Sequence, residues 1–142
     1  MAGPLLKLSD AVELPAGVYG VVAERHYVTA ATDWRVWTLE SDSGARQLVA
    51  QVGTGTYLAQ SEEAPAMPRE SQVTVEEETL TLRHSGEARA ASSAAGAHDF
   101  WLAPYRYYAG GGRVMLFTQD KDGVHRLVGE VLDPQLVRVF RS

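Results

Sequence analysis

The chain has 142 residues, 45% of them hydrophobic and 22% charged, with a formal net charge of −5 and no cysteine. That length suits one ordinary domain around a single core, and the composition excludes whole-chain disorder. The missing cysteines exclude disulfides, thiolate-held zinc, iron–sulfur clusters and thiol nucleophiles, while the acidic balance argues against binding nucleic acid or anionic lipid.

No apolar run approaches the ~18 residues of a membrane-spanning helix. The opening MAGPLLKLSDAVELP has too short an apolar stretch and too early an acid for a secretory signal, so a cytoplasmic protein without membrane insertion is expected. Leu5, Leu6, Leu8, Val12 and Leu14 suit either a short amphipathic helix capped by Ser9 or Asp10 or an extended lead-in closed by Pro15-Ala16-Gly17. Residues 17–30, GVYGVVAERHYVTA, predict a long strand bent near Gly20. Near alternation there places Tyr19, Val21, Ala23, Arg25 and Tyr27 on one face. Ala31-Thr32-Asp33 is the next turn.

Residues 35–52, RVWTLESDSGARQLVAQV, then read as a hairpin about Asp42-Ser43-Gly44, because glycine supplies positive φ and aspartate tolerates tight turns. Trp34 and Trp37, three apart, fall on opposite faces of such a strand. Gly53-Thr54-Gly55 breaks the pattern, and TYLAQ is a further short strand. Residues 61–71, SEEAPAMPRES, are the linker-like segment. After it, QVTVEE and ETLTLRHSGEARAA have the alternation of half-buried strands. Residues 92–112 begin small, pass through the aromatic block HDFWLAPYRYY and end in three glycines. The chain closes with a hairpin over residues 113–131, whose tip spans Asp120 to Gly123, and a last strand QLVRVF.

The two hairpins nearly repeat each other: Arg35-Val36 answers to Arg113-Val114, and Leu48-Val49 to Leu127-Val128. Arg25-His26 likewise answers to Arg83-His84. The expectation is a single all-β domain over residues 1–142. It is an antiparallel barrel or two-layer sandwich of two similar halves, about 17–60 and 72–140, with residues 92–112 as an insert in the second.

The glycine-led strand Gly17-Val18-Tyr19, followed by Trp34, Trp37 and Leu39, is similar to the opening of the bacterial domain of unknown function 4178. Leu80 to Ala91, Tyr105 to Tyr108 and Gly129-Glu130-Val131 resemble its second half in order. The chain departs from that pattern at Arg35-Val36, where an acid is usual between the aromatics, and at GTGTYLAQ after the first hairpin. The resemblance implies an all-β module and brings no catalytic residues.

The aromatic block offers the strongest binding surface, since Tyr, Trp and Arg dominate interface hot spots. Trp101, Tyr105, Arg106, Tyr107 and Tyr108, with Trp37 nearby, are the candidate contact residues. In this reading Gly110-Gly111-Gly112 hinges a loop; in the plainer one, Phe100, Trp101 and Tyr107 fill the core and the glycines make a tight turn. His26, His84, His98 and His125 lack the spacing of a metal site. No serine sits in a nucleophile elbow, the adjacent His98 and Asp99 point apart, and Glu76-Glu77-Glu78 reads as a solvated turn. These features predict no catalytic residue, metal or cofactor. They predict a non-enzymatic binding or protein-interaction module, with a protein partner or self-association. The alternative is a barrel holding a small apolar or aromatic molecule, and a His-based enzyme comes third.

Overall fold

The computed structural model describes residues 5–94 and 97–140. Its strands are β1 (Ala11–Leu14), β2 (Gly17–Val28), β3 (Asp33–Glu40), β4 (Arg46–Val52), β5 (Gly55–Ala64), β6 (Gln72–Val75), β7 (Glu78–Ala94), β8 (Ala97–Gly110), β9 (Arg113–Asp120), β10 (Gly123–Val131) and β11 (Arg138–Phe140). The fold is all-β, one antiparallel sheet in the order β11-β1-β2-β3-β4-β5-β10-β9-β8-β7-β6. A further pairing of β2 with β7, from Ala23 opposite Ala94 to Val28 opposite Arg89, closes the eight strands from β2 to β7 into a ring. In the described part of the lead-in a turn at Leu8-Ser9 precedes β1, and none of it is helical.

Two bulges let strands serve the ring and its covering layers at once. The β2 register slips at Val22, between Val21 and Ala23. An extra residue inverts the faces that follow it, so Tyr19 and Val21 point outward while Arg25 and Tyr27 point inward. This corrects the single face expected for all five residues. The β7 register slips in the same way at Arg83, turning Leu80 outward and Ala88 and Ala90 inward. Before its bulge each strand pairs with a short outer strand, β1 or β6, and after it with the other long strand.

The halves β1–β5 and β6–β10 are therefore equivalent in connection, with first long strand paired to first and last paired to last. Arg25-His26 and Arg83-His84 fall on the equivalent strands β2 and β7. The matched hairpins do not: β3–β4 occupies the second and third ring positions of its half, and β9–β10 the third and fourth. Two further expectations change. Ser61–Ala64 belong to β5, paired with Leu127–Val124, because the exposed ring rim accommodates the charges of SEEA; only residues 65–71 link the halves. Residues 92–112 are no insert, since most of them form the ring strand β8.

Three cores result. Inside the ring lie Tyr27, Trp34, Ala50, Val52, Ala59, Ala88, Ala90, Ala103, Tyr105, Val114, Leu116 and Leu127. Outside, Trp37, Leu39 and Val49 are covered by Leu6, Val12, Leu14, Leu132 and Val137. On the other flank Leu80, Tyr108, Met115 and Phe117 lie beneath Met67, Val73 and Val75. Gly111 and Gly112 make the β8–β9 turn with φ of 58° and 77°, the paired positive values of a tight two-residue hairpin. The Glu76-Glu77 turn between β6 and β7 adopts the same form, with φ of 48° and 71°.

Candidate functional site

Inward-facing residues change character along the ring axis. On β9 they run Val114, Leu116, Thr118, Asp120; on β3, Trp34, Val36, Thr38; on β2, Tyr27 then Arg25; on β5, Ala59 then Ser61; on β10, Leu127 then His125. The chain direction alternates between neighbours, yet each of these five strands becomes polar toward the same end, while β4 keeps Leu48 there. At that end the interior is hollow. A cavity of about 260 Å³ is walled by Trp34, Val36, Leu48, Leu116 and Leu127 and rimmed by Arg25, Thr38, Ser61, Asp120 and His125. An adjoining hollow of about 300 Å³ shares Arg25, Val36 and Thr38 and runs toward Ser92 and Asp99. An eight-stranded ring is just wide enough to be filled by side chains or to hold one small ligand.

Asp120 organises the polar end. Its side chain is only 3% exposed. It accepts from Trp101 Nε1 at 2.8 Å, Thr118 Oγ1 at 3.0 Å, Arg25 Nη1 at 3.3 Å and the Tyr27 hydroxyl at 3.3 Å. A buried carboxylate stays charged only when so served. Burial first, and the Asp120 carboxylate next, push the Tyr27 hydroxyl up to about 12, which keeps it a donor. Burial of the Arg25 guanidinium opposes its charge, but Tyr27 and Asp120 outweigh that and raise its pKa. The same guanidinium lies 5.5 Å above the Trp101 ring, with the Lys121 ammonium 5.8 Å from it. At the rim, Lys121 pairs with Asp99 and holds that carboxyl below its ordinary range, and His125 does the same for Asp122.

The six aromatic and arginine residues singled out by sequence do not form one surface. Trp101, Tyr105 and Tyr107 point into the ring, and only Trp101 touches the Asp120 cluster. Arg106 and Tyr108 face outward and are occupied: both donate to the Glu70 carbonyl, at 2.9 and 2.7 Å, clamping the segment between the halves. Trp37 is sealed beneath β1 and donates to Glu24 at 3.1 Å. The glycines form a turn, not a loop hinge, and Phe100, expected in the core by the plainer reading, is 76% exposed.

The histidines are dispersed. His26 meets Asp33, His84 stacks on Tyr107, His98 meets Ser93 and His125 meets Asp122. Among the described residues no three His, Asp or Glu side chains group as a metal site requires. Arg25, Tyr27, Thr118 and Asp120 escaped the sequence reading. Asp120 looks like a turn residue, although the tip is Lys121-Asp122. The shared gradient from apolar to polar along β2, β3, β5, β9 and β10 was the signal that could have found the site. Comparison of the chain with protein-family models, curated proteins and solved structures finds no match.

Proposed function

We propose that this protein is a non-enzymatic binding module that takes a small molecule into the open end of its ring. The observation that carries this reading is the hollow itself. Beside a buried aromatic floor, the chain leaves about 260 Å³ empty where Arg25, Thr38, Ser61 and His125 converge. Mouths of β-barrels with apolar walls and a few fixed polar groups are common ligand sites. The volume lies just under the ~300–1,000 Å³ of drug-sized pockets and suits a compact ligand. The resemblance to domain 4178 supports an all-β module and adds no residue roles, and the cysteine-free composition favours a reducing, cytoplasmic setting.

Native mass spectrometry of protein purified from its own host tests the reading. The expected result is an added mass that survives native conditions and vanishes on denaturation. A bare mass, with no small organic compound shifting the melting temperature, overturns it.

A second reading, of a protein partner or self-association, has its own support. Phe100 and Leu102 are 76% and 61% exposed on the outer face of β8, where that strand runs past the last β8–β9 pairing at Tyr105 opposite Thr118. Phe100→Ser should then abolish co-purification or dimerisation in sedimentation. Unchanged behaviour removes this reading.

A further inference from the structure

We propose that the ligand carries a carboxylate and that Arg25 is its receptor, with the apolar body of the ligand lying on Trp34, Val36, Leu48, Leu116 and Leu127. This deepens the small-molecule reading and rests on it. The argument is an accounting of hydrogen-bonding capacity at the open end. Among the described residues Asp120 is the one buried acid there, and its two oxygens already accept from Trp101, Thr118, Tyr27 and Arg25. A carboxylate offers about four lone-pair sites, so Asp120 has nothing left for a cationic ligand.

Arg25 stands the other way. A guanidinium has five N–H donors, and Asp120 takes one of them. The Arg25 side chain is 45% exposed and lines both hollows. Its anchor to Asp120 and its seat over Trp101 fix it in place, so little freedom is lost when it binds. The Thr38 and Ser61 hydroxyls also line the cavity and have a donor to offer an anion, although a hydroxyl serves either charge.

The other acids at this end are spoken for or remote. Asp99 is paired with Lys121 and Asp122 with His125. Glu63, opposite His125, lies on the exposed end of β5, where water and salt screen it. A planar guanidinium recognises a planar carboxylate through two parallel bonds, and the apolar walls suit an organic acid better than inorganic phosphate.

The test uses three probes of nearly one shape, phenylacetate, phenylacetamide and phenethylamine. Each is titrated into the full chain at low ionic strength and followed by tryptophan fluorescence and calorimetry. Phenylacetate should bind about tenfold or more tighter than the amide, and the amine weakest. Arg25→Gln should erase the preference for the acid, and Arg25→Lys should restore part of it. The wild-type comparison needs no variant, so misfolding of Arg25→Gln leaves the test intact. Equal binding of acid and amide, or tighter binding of the amine, overturns the carboxylate inference while the pocket stands. No binding by any probe, together with a bare native mass, overturns both.

Discussion

The two ends of the ring interior are built from the same strands and differ in almost every other respect. At one end Trp34 stacks on Tyr27 with centroids 4.9 Å apart and leans on Tyr105 at 5.1 Å, while Ala50, Ala88, Ala90 and Ala103 make room for the rings. Large side chains facing small ones fill an eight-stranded ring completely. At the other end the inward residues are Thr38, Ser61, Thr118, Asp120, Arg25 and His125, and the interior is hollow. The contrast separates two tasks: the aromatic end supplies stability, and the polar end gives up packing in exchange for directed donors.

The largest test of that division is Trp34→Ala. Losing a buried tryptophan should cost about 3–5 kcal/mol in chemical denaturation, and binding should fail along with it. A loss under about 1 kcal/mol, in the range of a surface change, would mean that the filled end is not the anchor.

Asp120→Ala should cost less, about 2–3 kcal/mol, because it strands the Trp101 N–H and the Tyr27 and Thr118 hydroxyls while half-exposed Arg25 regains water. Asp120→Asn keeps an acceptor and should recover part of the loss. If both variants melt like the wild type, the polar end contributes nothing to the fold and the division is sharper still.

The last effect is silent at neutral pH and appears only in alkali. Tyr27 titrates at about 12 in the folded chain, against ~10 when unfolded. Its proton is lost first from the unfolded state. Stability is therefore intact below pH ~10 and falls as pH rises through the folded value, by roughly 2–3 kcal/mol in all. Tyr27→Phe should flatten that part of the denaturation profile. A wild type and variant that lose stability in parallel would place the alkaline transition elsewhere.

Much of the architecture was legible because strands and turns are local. The glycine-bearing tips, the alternation around Trp34 and Trp37 and the all-β composition follow from short-range rules, whereas the choice between barrel and sandwich does not. The bulges at Val22 and Arg83 were not legible, since one extra residue in a run of β-formers carries no distinctive letter. That omission put Arg25 and Tyr27 on the same face as Tyr19. The site was hidden for a related reason. Asp120 at a strand end reads as a turn former, and its burial depends on Trp101 from the hairpin partner β8 and on Arg25 and Tyr27 from β2, which only ring closure brings near. The aromatic block was noticed but assigned to one surface, although its alternate residues face opposite sides of β8.

The equivalence of the two halves bears on assembly in the cell. Their contacts are like with like, β2 to β7 and β5 to β10, so the second half of another chain presents the same partner edges as a molecule's own. What favours the intramolecular product is the tether of residues 65–71, which keeps its own partner at high local concentration. The Arg106 and Tyr108 bonds to Glu70 then pin that tether against the closed ring. Shortening the tether would turn the same interfaces toward an exchanged dimer with two complete rings. The segment that looks least structured in the sequence thus sets whether the fold closes on itself.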